Sequence, residues 1–150
     1  NCSRRFNKDI CKFANSVYPN SNSMCTCMNA VTGHDGVFII KEKDVDVYYQ
    51  YFRPTVLKYD VKTDTGNYHS LNFGECKGMT FDRVLMYSNG VFDKFLKGIP
   101  LTSPSKYYVG VTRPKYSLAI VQLKYFLPEA FKEVELLLGE TKIVVGYYQA

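Results

Sequence analysis

Gly36-Val37-Phe38-Ile39-Ile40-Lys41-Glu42-Lys43-Asp44-Val45-Asp46-Val47-Tyr48-Tyr49-Gln50-Tyr51-Phe52-Arg53-Pro54-Thr55-Val56-Leu57 changes its hydrophobic period twice. Gly36 to Ile40 is a short, unbroken apolar run, the pattern of a strand buried on both faces. Behind Asp44, a residue type that caps helices, Val45, Tyr48, Tyr51 and Phe52 recur at helical spacing. From Thr55 to Val61 the chain alternates again as a strand. Strand, helix and strand in succession argue for a parallel sheet covered by helices.

The same rhythm extends in both directions. Upstream, Asn7 can cap a helix with Ile10, Phe13, Ala14 and Val17 on one face, closed by Tyr18-Pro19-Asn20. Asn20 to Asp35 is rich in Ser, Asn and Thr and reads as a long, mobile loop. Downstream, a turn at Thr63 to Asn67 precedes Leu71-Asn72-Phe73, which leads into Gly74-Glu75-Cys76-Lys77-Gly78. The strand Arg83 to Tyr87 follows, then a helix carrying Phe92, Phe95 and Leu96. Ser103-Pro104 predicts a helix start, with Ser as cap and Pro in the first turn. That helix must stop near Arg113, since Pro114 cannot continue it. Ser117 to Val121 reads as another buried strand, and Pro128 to Ala150 as a helix followed by a strand.

With 150 residues the chain is the size of one domain. Its 46% hydrophobic and 22% charged residues exclude a disordered polyelectrolyte. No apolar run approaches the roughly 18 residues of a membrane span, and no signal peptide shows, so the expected location is cytoplasmic, with no membrane partner. Five cysteines are an odd number, and Cys25-Thr26-Cys27 is one residue too tight for a C-x-x-C hairpin. Reduced thiols of a cytosolic protein are the reading they support. The sequence opens on Asn1 without Met, which suggests a segment of a longer protein. The net charge of +5 suits a phosphate-rich partner, although the basic residues are scattered.

Ligands of open α/β sheets bind beyond the carboxyl ends of the strands, where loops meet helix termini. Two segments have that character. The glycines of Gly74 to Gly78 permit close backbone approach to a ligand, or simply a tight turn. Arg113, at a helix end before a buried strand, could neutralise a transferring phosphoryl group or serve a surface or salt-bridge role. His34 and His69 lie in different loops without a nucleophile pattern, and the carboxylates are dispersed. Neither a Ser-His-Asp set nor a paired-carboxylate hydrolase is supported. The G-x-x-x-x-G-K-[ST] phosphate cradle is missing, and Lys77-Gly78 runs in the wrong order to supply it.

Three segments together resemble a known family. Cys76-Lys77-Gly78-Met79-Thr80-Phe81-Asp82-Arg83-Val84-Leu85-Met86-Tyr87 is similar to motif V of UvrD-like superfamily 1 helicases, usually S-K-G-L-[ET]-F-D-x-V. Tyr107-Tyr108-Val109-Gly110-Val111-Thr112-Arg113-Pro114-Lys115 resembles motif VI, usually Y-V-A-x-T-R-A. Asn1 to Pro19, with Arg5, Ile10, Phe13, Ala14 and Asn15, is similar to motif IV and its helix. The three fall in the family's order.

The resemblance implies a RecA-like, P-loop NTPase-type three-layer domain over residues 1–150, the second motor lobe of an ATP-dependent DNA helicase. Its partner would be the N-terminal RecA-like lobe that carries Walker A and B and binds most of the ATP and Mg²⁺. The isolated chain would then be inactive and hold no cofactor. Arg113 would act as the arginine finger on the γ-phosphate, and Arg5 (or the adjacent Arg4) would also face it. Gly78 and Thr80 would border the nucleotide, and Lys77, Gly78 and Met79 would touch single-stranded or partly duplex DNA. There are departures from the family pattern. Gly110 and Pro114 replace two alanines, Asn72-Phe73-Gly74 replaces a T-x-H lead-in, and Thr80 stands where many members have a ribose-contacting glutamate. The rival reading is a non-catalytic nucleic-acid-binding module derived from such a lobe.

Overall fold

The computed structural model describes residues 5–19, 26–28 and 32–149, with residues 5, 6 and 26–28 given as backbone. In chain order the strands are β1 (Arg5–Asn7), β2 (Thr26–Met28), β3 (Gly36–Ile40), β4 (Thr55–Lys58), β5 (Ser70–Asn72), β6 (Phe81–Tyr87), β7 (Pro114–Val121), β8 (Phe131–Leu138) and β9 (Thr141–Tyr148). The helices are α1 (Lys8–Val17), α2 (Val45–Phe52), α3 (Gly90–Leu96) and α4 (Pro104–Val111). Seven strands form one sheet in the order β5-β4-β6-β7-β3-β9-β8, while β1 and β2 pair in parallel apart from it. From β5 to β3 all neighbours are parallel; β9 runs antiparallel to β3, and β8 to β9. The chain therefore has the α/β architecture with a mainly parallel sheet that its sequence predicts.

Alternation along the central strands separates two cores. Val37 and Ile39, Val84 and Met86, and Leu118 and Ile120 pack on one face with Phe13 of α1, Phe92 of α3 and Tyr107 of α4. Phe38 and Ile40, Leu85, and Ala119 and Val121 pack on the other with Val45 and Tyr48 of α2. Helices thus cover both faces, and each fully buried aliphatic side chain contributes about 1.5–3 kcal/mol to holding the layers together. The first helix forms as its spacing predicts. Asn7 Oδ1 accepts from the amides of Asp9 at 2.8 Å and Ile10 at 3.3 Å, and Ile10, Phe13, Ala14 and Val17 are buried.

Several boundaries differ from the sequence reading. The proposed loop Asn20 to Asp35 contains β2 and ends in a turn where the Asp35 carboxylate accepts from Thr32 and Gly33 amides; residues 20–25 and 29–31 lie outside the described residues. Asp44 makes no side-chain cap, because a 3-10 turn over Glu42–Asp44 feeds α2 and holds Asp44 at φ −100°, ψ 0°. On α2, Val45 and Tyr48 are buried whereas Tyr51 is 55% exposed. The strand expected over 55–61 ends at Lys58, and β5 was not anticipated. Ser103 makes no cap bond, although Pro104 does open α4.

The largest correction is at the end of the chain. No helix follows Pro128; β8 and β9 form a hairpin in register from Phe131–Tyr148 to Leu138–Thr141. Gly139 takes φ 66° as the first of its two turn residues, a place that suits glycine in tight hairpins. The helix-forming composition of Lys132 to Leu138 yields to pairing with Thr141–Tyr148, whose Ile143 and Val145 enter the α2-side core. No described helix is long and apolar enough to cross a membrane.

Candidate functional site

Gly36, Ser117 and Arg83 lie side by side in β3, β7 and β6, close to the start of each strand. The segments leading into these strands therefore gather at the amino edge of the parallel sheet. This corrects the expectation of a site beyond the carboxyl ends. β5 ends level with Lys58, and residues 73–80 return to the amino edge across the α4 side, burying Phe73 and Cys76 on the way.

Arg113 unites the two singled-out segments. Its Nε donates to Val109 O at 2.8 Å, within its own helix end. Its Nη1 donates to Met79 O at 3.0 Å and Cys76 O at 3.5 Å, and its Nη2 to Thr112 Oγ1 at 3.1 Å. The Phe81 amide returns a bond to Arg113 O at 2.9 Å. Arg113 is 6% exposed, so the guanidinium sits beneath the loop in this conformation.

Lys77, Gly78, Met79 and Thr80 are all exposed above it. Gly78 adopts φ 85°, a left-handed conformation, and its Cβ position meets nothing within 4 Å; the backbone alone dictates glycine there. Burial pushes the Cys76 thiol above its ordinary pKa, against the nearby Arg113 charge. Of Arg5 only the backbone position in β1 is described, and Arg4 lies outside the described residues. β1 packs against β7, the strand that begins immediately after Arg113.

Gly110 and Phe73 fit each other. A Cβ on Gly110 would lie 2.5 Å from the buried ring of Phe73. Phe73 thus occupies the space a methyl at Gly110 would need. Tyr107 stacks on Phe92 and Tyr59 at 5.2 and 4.7 Å, completing an aromatic wall under the loop.

On the opposite face of the sheet the amino edge holds a second cluster that sequence reasoning missed. Arg83 donates through Nη1 to His34 O and to Ser117 Oγ at 3.0 Å, and through Nη2 to Thr32 Oγ1 at 2.9 Å. Its guanidinium lies 5.1 Å over the Phe52 ring. His34 is sandwiched between Phe38 and Phe52, each 4.1 Å away, with Nε2 2.7 Å from Tyr48 Oη. Its Nδ1 is buried and has no hydrogen-bond partner among the described residues. Burial first, and the Arg83 charge second, lower the His34 pKa to about 3 against a smaller opposing effect of Asp35, which keeps the ring neutral. The partners lie tens of residues apart, so no local spacing announced the cluster.

Beside it lies a polar cleft of about 500 Å³, lined by Phe52, Arg53, Thr55, Thr80, Phe81, Asp82 and Arg83. Among the described residues no group of three or more His, Cys, Asp or Glu is gathered to hold a metal. In comparison with known proteins, the chain matches no family model, and none of the curated proteins matches it in sequence.

Proposed function

We propose that this chain is the second motor lobe of a UvrD-like superfamily 1 DNA helicase, with a RecA-like fold. The observation that carries this reading is the direct bonding of Arg113 to Met79 O, across 34 residues of sequence. It joins the segments that resemble motifs V and VI into one unit at one sheet edge.

In this mechanism ATP and Mg²⁺ are bound mainly by a partner lobe carrying the phosphate cradle. This chain supplies a cation, Arg113, and an exposed loop, Lys77 to Thr80, with Arg5 as a second candidate cation. Charge spreads over the γ-phosphoryl oxygens as the bond to the leaving group breaks, and a guanidinium placed there lowers the barrier. Closure of the lobes presents phosphate oxygens as acceptors stronger than the Met79 and Cys76 carbonyls, since an anionic oxygen adds Coulombic attraction to the guanidinium and can be met bidentately, which a neutral carbonyl cannot. Arg113 then exchanges carbonyls for phosphate, and the loop it held is released. Because Lys77, Gly78 and Met79 face solvent on that loop, nucleotide state is transmitted to the strand they grip.

The burial of Arg113 also favours a second reading, a nucleic-acid-binding module in which the arginine only clips the loop. DNA-stimulated ATP hydrolysis separates the two. This chain alone should show none, and the chain joined to a Walker A lobe should hydrolyse ATP robustly. Absence of hydrolysis in the joined protein would transfer the assignment to the binding module.

A further inference from the structure

The cleft beside Thr80 is built for an anion. Arg53 and Arg83 line it together with the hydroxyl-bearing Thr55 and Thr80, and Asp82 is the one acidic lining residue, so the lining carries a net +1 from two cations and one carboxylate. Neither arginine has a carboxylate within salt-bridge distance among the described residues, where the ion pair formed is Lys142–Glu135. A guanidinium has five N–H donors. Arg83 places three on protein acceptors, leaving Nε–H and one Nη2–H without one among the described residues. Arg53 places one, on Gln50 Oε1 at 3.1 Å.

Arg53 is also held in an unusual place. It closes α2 at φ 51°, ψ 51°, a left-handed conformation that glycine adopts more readily and that holds this charged side chain at a cost in backbone strain. Next to the cleft, Tyr51 is 55% exposed, with its ring 4.9 Å from that of Phe52 in a T-shaped contact. An exposed aromatic ring bordering a cationic groove is the combination that binds a single strand, with charge for the backbone and a face for a base.

We propose that the cleft bounded by Arg53, Thr55, Thr80 and Arg83 seats a phosphodiester of single-stranded nucleic acid, with Tyr51 offering its face to an adjacent base. The choice of polymer rests on the motor-lobe reading, while the seat itself rests on the cleft. Thr80 belongs both to this cleft and to the loop that Arg113 bonds, so occupancy of the cleft and release of that loop act on the same backbone.

The test is binding of a fluorescent oligodeoxythymidylate to the 150-residue chain, followed by anisotropy over a range of salt. Arg53→Gly is the informative variant, because glycine suits the left-handed backbone and keeps the fold. It should weaken binding about three- to tenfold and reduce the slope of log affinity against log salt by about 0.7, the share of one phosphate contact on a single strand. Tyr51→Ala should weaken binding without changing that slope. Lys142→Gln, a charge loss on β9, should leave both unchanged. A duplex of equal length should bind less well, and inorganic phosphate should compete only at far higher concentration. The proposal is overturned if wild type does not bind the oligonucleotide, or if Arg53→Gly keeps the wild-type slope. It also falls if Lys142→Gln matches Arg53→Gly, or if inorganic phosphate competes as well as the strand. No ATP enters this assay, so its failure is distinct from failure of the motor-lobe reading, which hydrolysis by the joined protein decides.

Discussion

Arg113 and Arg83 stand at the entries of neighbouring parallel strands, on opposite faces of the sheet, and use their donors differently. Arg113 is buried and turned onto the carbonyls of Val109, Cys76 and Met79, so it holds a loop. Arg83 is half-buried, braces the His34 turn, lines a cleft, and keeps two N–H donors without a protein acceptor among the described residues. The same residue type at the same edge thus serves as a latch in one place and as a brace with spare capacity in the other. What separates them is the supply of backbone acceptors. Residues 73–80 fold over Arg113, whereas among the described residues the one backbone acceptor bonded to Arg83 is His34 O, in the Thr32–Asp35 turn.

The largest expected effect concerns the brace. His34 titrates near 3 when folded and near 6.5 when unfolded, so the unfolded chain binds more protons between those values. The neutral ring's contribution is complete above about pH 6.5 and is lost as pH falls towards 3. The slope approaches about 1.4 kcal/mol per pH unit. Urea unfolding at a series of pH values should show this decline, and His34→Phe should flatten it. An unchanged profile in His34→Phe would break the account of this cluster.

Replacing each arginine by Met sharpens the comparison next. Arg113→Met removes the donor that ties Met79 O to the end of α4, while Cys76 O still accepts from Met79 N and Val109 O from Thr112 Oγ1, and should cost about 2–3 kcal/mol in urea unfolding. Arg83→Met, nearer to solvent, should cost less, about 1–2 kcal/mol. Equal costs would erase the distinction between latch and brace.

The packing under the latch predicts a smaller effect. Gly110→Ala pushes a methyl into the Phe73 ring and should cost about 1–3 kcal/mol. Adding Phe73→Leu should recover part of that loss, which is read as non-additivity in the double mutant. Smallest of all, Arg53→Gly should raise stability by up to about 1 kcal/mol by relieving its left-handed backbone, seen as a higher melting temperature.

Elements with a strong period were legible in the sequence, and the reasons are physical. α1 and the strands β3 and β7 are specified by runs whose burial needs no distant partner to predict: Ile10 to Val17, Val37 to Ile40, Leu118 to Val121. The C-terminal hairpin was read as a helix first because Lys132, Glu133, Glu135 and Leu136 to Leu138 are good helix formers, and only pairing with β9 reverses that preference. Tyr51 sits at the margin of the helical stripe of α2, about 100° around the helix from Phe52, so it points away from the core that takes Val45 and Tyr48. In the candidate site, Gly74 to Gly78 and Arg113 stand out by their glycines and their place before a strand, but only resemblance adds Met79 and Thr80 and joins the two segments, since no local spacing ties residue 79 to residue 113. The contacts of Arg83 with His34 and Ser117 span 49 and 34 residues, and Arg53 owes its interest to a backbone angle. Such features exist only after folding.

The central claim is that Arg113 leaves its loop carbonyls to meet a phosphoryl group. Arg113→Ala, in a protein joining this chain to its nucleotide-binding lobe, tests it most directly, with ATP turnover, nucleotide affinity and melting temperature measured together. The account predicts turnover lower by roughly a thousandfold or more, with nucleotide affinity kept and the protein folded at the assay temperature. Turnover at the wild-type rate in that folded variant would contradict it and leave Arg113 as a structural clip.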